Sequence, residues 1–279
     1  MNKPLPLISI IVTTFNRKNY LSETIDSILK QTYQNFELIV VDNYSNYDFL
    51  SYMKLFNDIR IRAFQNDNNG VIAVNRNFGI KKAKGDYLAF CDDDDLWIKN
   101  KLKEQLNQLI KYRVDMVCSI CKSFGDVKYF SINYGIYPTP MRVNLSREGL
   151  LKNNCIAFGT TFIKKEIFDR FYGFDTREHY HGIEDYELWL RIIKSISIVF
   201  IPRIHIYYRI HSDMTQLNNP SKDEKINKLL KKYNYKLIDQ KERTKPFYLL
   251  RIIYHKVLEA MIYIHIFELK LFQNKFIKY

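Results

Sequence analysis

Residues 87–91, Tyr-Leu-Ala-Phe-Cys, are apolar throughout and lie between Gly85-Asp86 and four consecutive carboxylates, Asp92, Asp93, Asp94 and Asp95. A run of this length bounded by glycine and charge reads as a short strand buried on both faces. Its end restricts the fold. Adjacent carboxylates raise the free energy of ionising one another, so four are tolerated only if well hydrated, partly protonated or gathered round a cation. Oxygen ligands at a strand end beside a crevice suit Mg²⁺ or Mn²⁺, which take one or two carboxylates and complete their shell with substrate phosphates. A solvated acidic loop capping a helix that begins near Ile98 accounts for the same residues, and this stretch alone does not choose between the two.

The rest of the N-terminal half alternates. Residues 7–14 are β-branched and nearly continuous, as expected of a central parallel strand. Residues 20–31 place Leu21, Ile25, Ile28 and Leu29 at helical spacing. A second buried strand, 36–41, ends at Asp42-Asn43. A helix over 49–56, a strand over 59–64 and a helix over 71–83 lead to the acidic strand. Such alternation implies right-handed crossovers and an α/β fold with a mainly parallel sheet. Ligands bind such sheets beyond the carboxyl ends of the strands. Here those ends offer Thr13-Thr14-Phe15-Asn16, Asp42-Asn43 and Asp92 to Asp95, which are an aromatic face, acid or amide acceptors, and a cation cradle. The base, ribose and diphosphate of a nucleotide need these in that order. Glycine-rich phosphate loops of the dinucleotide or Walker type are missing, which disfavours both of those classes.

Four segments, Ser9 to Arg17 (SIIVTTFNR), Leu38 to Ser45 (LIVVDNYS), Asn69 to Gly79 (NGVIAVNRNFG) and Ala83 to Trp97 (AKGDYLAFCDDDDLW), resemble successive motifs of the inverting, nucleotide-sugar-dependent glycosyltransferases with the GT-A fold, of the family 2 type. Glu184 to Arg191 (EDYELWLR) and Tyr208 to Ser212 (YRIHS) resemble its downstream motifs, so the likeness spans about residues 7–215. The resemblance implies a Rossmann-like nucleotide-diphospho-sugar transferase domain over 1–215 and a C-terminal helical extension over 216–279. It implies that Phe15 packs on the nucleobase with Thr13 beside it. Asp42 and Asn43 match an acidic pair that reads uracil, with Asn43 standing where a second Asp is usual. Arg76, beside Asn77, falls near the donor. Asp92 and Asp94 match a D-x-D signature, with Asp94 the direct ligand of Mn²⁺ or Mg²⁺ and Asp92 or Asp93 nearer the ribose. His211 completes the metal shell or touches the diphosphate. Asp185 matches the catalytic base, with Glu184 as fallback. Read alone, the acids at 184–185 are ordinary dipole complements at a helix start, and His211 is an ordinary structural histidine.

The partners so implied are a nucleotide-sugar donor, UDP-linked, and a hydroxyl acceptor on a glycan or lipid-linked saccharide of a bacterial surface polysaccharide. The Phe158-Gly159-Thr160-Thr161 segment resembles an acceptor-side wall. Two other classes share the crevice: a sugar nucleotidyltransferase, whose glycines are absent from Asn16-Arg17-Lys18, and a non-catalytic glycan-binding relative, which would not need both Asp94 and Asp185.

Charge is concentrated in the tail. Residues 220–279 hold 14 Lys and Arg against 6 Asp and Glu, a surplus of 8 within the chain's net +13. No nucleic-acid-binding motif accompanies it. After Pro246, Leu250, Tyr254, Val257, Met261 and Ile264 form an apolar helical stripe. It suits an interfacial helix on an anionic membrane or a helix packed on protein, including a second subunit, and the pattern leaves both open. No segment has the ~20 uncharged apolar residues of a spanning helix. Four cysteines without a second C-x-x-C pair read as reduced core thiols. The expected location is the cytoplasm, at the inner face of the cell membrane if the tail binds lipid.

Overall fold

The computed structural model describes residues 5–126, 136–138, 143–212 and 221–235. The chain parts into two compact units, 1–235 and 236–279, and every described residue lies in the first. Among the described residues, nine strands form one sheet: β1 (Ile8–Thr14), β2 (Phe36–Asp42), β3 (Ile61–Gln65), β4 (Tyr87–Asp92), β5 (Leu96–Trp97), β6 (Met116–Gly125), β7 (Ile136–Tyr137), β8 (Phe162–Lys164) and β9 (Ile198–Ile210). Their order is β3-β2-β1-β4-β8-β6-β9-β5, with β7 paired to β6. The first four are parallel, β8 runs antiparallel between β4 and β6, and β6 and β9 are parallel. The α/β fold with a mainly parallel sheet is therefore as expected.

Helices α1 (Lys18–Leu29), α2 (Phe49–Lys54) and α3 (Ile72–Lys82) make the crossovers of the parallel half. Helices α4 (Lys101–Tyr112), α5 (Arg147–Lys152), α6 (Lys165–Phe171), α7 (Glu184–Ile192) and α8 (Lys222–Lys231) follow. Every residue of β1 and β2 is buried, so neither strand shows polar alternation. α1 buries Leu21, Ile25 and Ile28, the expected apolar face, each contributing about 1.5–3 kcal/mol of transfer free energy. Ser146, which the sequence predicts as the N-cap of a short helix, caps α5, its Oγ accepting from the Gly149 N–H at 3.0 Å.

The register levels three strand ends. Thr13 stands opposite Val41 and Asp92, and Thr14 opposite Asp42. The carboxyl ends of β2, β1 and β4 thus share one edge, with Phe15 just beyond it.

Three expectations needed correction. The helix after the acids begins at Lys101, not near Ile98, because Leu96–Trp97 pairs with Tyr207 and Ile206 as a strand. The acids are consequently the turn between β4 and β5, with Asp93, Asp94 and Asp95 only 4%, 7% and 2% exposed, so the solvated-cap reading fails. β9 starts at Ile198, not at Ile204 where the apolar run ahead of His211 predicts a strand over 204–210, because its first half pairs with β6 across a register shift between Cys118 and Cys121. Residues 128–132, whose sequence predicts a strand, and the stripe after Pro246 lie outside the described residues. The four cysteines are free and buried. Among the described residues, no helix is long and apolar enough to cross a membrane.

Candidate active site

The acidic turn is held from three sides. From β1, the Thr14 hydroxyl donates to Asp93 Oδ2 at 2.7 Å. From the β1–α1 loop, Arg17 Nη1 bridges Asp93 Oδ1 at 3.0 Å and Asp94 Oδ2 at 2.7 Å. From the end of β9, His211 Nε2 lies 3.0 Å from the same Asp94 oxygen, and the Arg209 side chain donates to the Asp94 carbonyl while its backbone N–H donates to Asp95 Oδ1. Burial and the Asp94 charge push the Asp93 carboxyl up to about 7, against the pull of Arg17 and Thr14. Burial, then the neighbouring aspartates, raise Asp95 well above the usual carboxylate range. The cluster is thus short of positive charge.

Arg76, on α3, is the hinge of the site. Its guanidinium donates through Nη2 to Asp92 at 2.9 Å and through Nη1 to Glu184, which also accepts from the Gly182 N–H at 2.7 Å. Its guanidinium carbon lies 3.7 Å from the Phe158 ring centroid, above a cluster of Phe90, Phe158, Phe168 and Phe174. Burial opposes the charge, yet Asp92, Glu184 and Asp185 outweigh it and the pKa of Arg76 is raised. One cation therefore ties the acids at the strand ends to the first turn of α7. Asp185, next in that turn, is half-buried, and no described side chain hydrogen-bonds its carboxylate. Burial and the Glu184 charge push it up to about 6, with Arg76 pulling the other way.

Asn77 serves the frame. Its amide donates to the Phe174 carbonyl at 2.8 Å and accepts from the Phe174 N–H at 2.9 Å, fixing the turn after α6. Gly173 sits in that turn at φ +72°, and an added Cβ would stand 2.5 Å from Asn77 Oδ1. Gly173→Ala is expected to cost about 2 kcal/mol, the left-handed penalty plus a strained hydrogen bond, measured as a lower urea midpoint at unchanged m.

At the β1 and β2 ends, Phe15 is 51% exposed and Thr13 is buried. Asp42 is fully buried and accepts three hydrogen bonds, from the Ser45 hydroxyl and N–H and from Gln65. The Ser45 hydroxyl also accepts from the Asn16 N–H, and Asn16 Oδ1 from the Asn46 N–H, so the two loops are stitched together. Asn43 Oδ1 accepts from the Asn68 N–H at 2.9 Å, which orients the Asn43 NH₂ as the remaining polar group.

The chain matches the family model described as glycosyl transferase family 2 over residues 9–171. It belongs to that family. It is also 32% identical over 194 residues to the UDP-Glc:α-D-GlcNAc-diphosphoundecaprenol β-1,3-glucosyltransferase WfgD of Escherichia coli, covering 69% of this chain and 72% of that one. The similarly named WfaP of Escherichia coli is 32% identical over 215 residues, covering 77% and 81%. Among solved structures, the Pyrobaculum calidifontis mannosyltransferase PcManGT, in complex with GDP-Man and Mn²⁺, superposes at a TM-score of 0.62 with 17% identity over 91% of this chain and 70% of that one. S. aureus TarS 1-349, in complex with UDP-GlcNAc, superposes at 0.61 with 18% identity over 80% and 64%. These likenesses show the GT-A fold, and the family makes this chain a glycosyltransferase.

For a family 2 glycosyltransferase the donor set suits a hard divalent ion: Asp94 Oδ2 and His211 Nε2 converge, with the partly exposed Asp92 carboxylate on the same turn. Among the described residues no three acidic, His or Cys side chains form a ready-made cage, but Mg²⁺ and Mn²⁺ in phosphate sites need only one or two protein ligands. Sequence reasoning missed Arg17, Thr14 and Arg209. A cation two residues beyond the aromatic at the first strand end was the available signal for Arg17.

Proposed function

We propose that this glycosyltransferase moves a hexose or N-acetylhexosamine from a UDP-sugar to a hydroxyl of a lipid-linked saccharide, with inversion at the anomeric carbon. The observation that carries the reading is the Arg76 bridge between Asp92 and Glu184, which brings the first turn of α7 to the strand-end acids. Asp185 then takes the acceptor proton as the hydroxyl attacks the anomeric carbon and the nucleoside diphosphate departs on the opposite side. Phe15 stacks on the base beside Thr13, Asp42 and Asn43 line the base edge, Asp92 and Asp93 lie toward the ribose, and Arg76 positions both walls. Asp94 and His211 would hold Mn²⁺ or Mg²⁺, which when bound supplies positive charge against the leaving diphosphate. The names of WfgD and WfaP support a UDP-sugar donor and a polyprenyl-diphosphate-linked acceptor, and a lipid of that kind would put the reaction at the inner face of the cell membrane.

The test is incubation of the full chain with Mn²⁺, a panel of UDP- and GDP-sugars, and a GlcNAc-diphosphate lipid. The expected result is UDP release matched by one sugar added to the lipid. Pyrophosphate release from nucleoside triphosphates would instead support nucleotidyl transfer, and silence across the panel would sink the reading.

A further inference from the structure

Arg17 and a divalent ion have the same target. Arg17 Nη1 donates to Asp94 Oδ2 at 2.7 Å and His211 Nε2 stands 3.0 Å from that oxygen, which uses both acceptor directions of one carboxylate oxygen. The guanidinium also reaches Asp93 Oδ1, so it spans two acids of the buried turn. A cation on Asp94 Oδ2 at the ~2.1 Å typical of Mg²⁺ would stand a few ångström from the guanidinium, and like charges at that separation in a buried site repel strongly. Ion and guanidinium therefore compete for the oxygen.

We infer that Arg17 is an internal competitor for the metal, and that the donor diphosphate relieves the competition by giving Arg17 another anion to bind. This rests on the metal reading above. Arg17 lies on the β1–α1 loop, two residues beyond Phe15, and its side chain is 22% exposed while Asp93 and Asp94 are 5% and 10% exposed. The arginine is therefore the member of the cluster able to swing toward the crevice. A guanidinium fork matches phosphate oxygens as well as it matches carboxylates. Released from Asp94, it adds a second positive charge beside the leaving diphosphate. Metal and nucleotide then bind cooperatively, each raising the affinity of the other by the same factor.

The experiment measures Mn²⁺ binding to the full chain by electron paramagnetic resonance, with and without UDP. For the wild type, UDP is expected to tighten Mn²⁺ binding about tenfold or more. Arg17→Gln is expected to bind Mn²⁺ alone about tenfold more tightly than the wild type, and the gain from UDP should shrink in proportion. Arg17→Lys, a point charge without the fork, should fall between the two, and serves if the Gln variant does not melt cooperatively in chelator. Arg17 variants that bind Mn²⁺ alone no more tightly than the wild type, or that keep its full UDP gain, overturn the inference while leaving the metal reading intact. If the wild type binds UDP but no Mn²⁺ in its presence, both fall.

Discussion

Asp185→Asn is expected to lower the rate of sugar transfer about 10²–10⁴-fold while UDP affinity stays close to that of the wild type. The substitution keeps the shape of the side chain and removes only its ability to accept a proton. In the wild type, Asp185 is pushed up to about 6 by burial and by Glu184. Below that pH it holds a proton, so kcat/KM falls by about tenfold per pH unit on the acid side and levels off above neutrality. The Asn variant should lose this acid limb. A stability signature accompanies it. The carboxyl rises from 3.8 in the reference state to about 6 in the fold, so its ionisation destabilises the fold fully above the higher value and not at all below the lower one. Asp185→Asn is therefore expected to melt higher than the wild type near neutral pH and equally below about pH 3. A carboxylate that merely complemented the dipole at the start of α7 would show the opposite, a lower neutral melting temperature with transfer intact.

The second large effect belongs to Arg76. Arg76→Ala leaves the buried Glu184 without its cation and strips the stacking from Phe158, which costs about 3–5 kcal/mol. For a unit of this size that corresponds to a fall of roughly 6–20 °C in Tm. Transfer should collapse too, since Asp92 and the first turn of α7 lose their common anchor. Arg76→Lys keeps the charge but cannot span both acids or stack flat, so it should recover part of the stability and little of the activity. A cycle with Glu184→Gln isolates the pair, with an expected coupling of about 0.5–3 kcal/mol. An Arg76→Ala variant that melts like the wild type would show that the bridge contributes nothing.

The parallel half was legible because its signals are local. β1 and β2 announce themselves as continuous apolar runs, and Leu21, Ile25 and Ile28 of α1 repeat at a period no strand would use. The acidic turn was legible as chemistry, since four adjacent carboxylates carry a cost wherever they lie. Its partners were another matter. Arg17, Thr14 and Arg209 reach Asp93, Asp94 and Asp95 across 76 to 115 residues of chain, and nothing in the spacing of the sequence encodes such separations; His211, 117 residues from Asp94, came only from the family resemblance. Leu96–Trp97 defeated prediction for the same reason. Two residues have no period, and only β9 makes them a strand. Asn43 shows the limit at atomic scale: its identity was readable, but the direction of its carbonyl depends on the distant Asn68 N–H.

The stitching of the β1–α1 and β2–α2 loops bears on how donor preference can be re-engineered. Asn16, Ser45, Asn46 and Asp42 share one hydrogen-bond circuit, so each loop is the template on which the other is moulded. Grafting one loop from a relative with a different donor would leave half the circuit facing strangers, and the penalties of such neighbours do not add. Chimeras that exchange both loops as a cassette should keep their shape where single grafts lose it, so the heritable unit at this strand edge is a pair of loops.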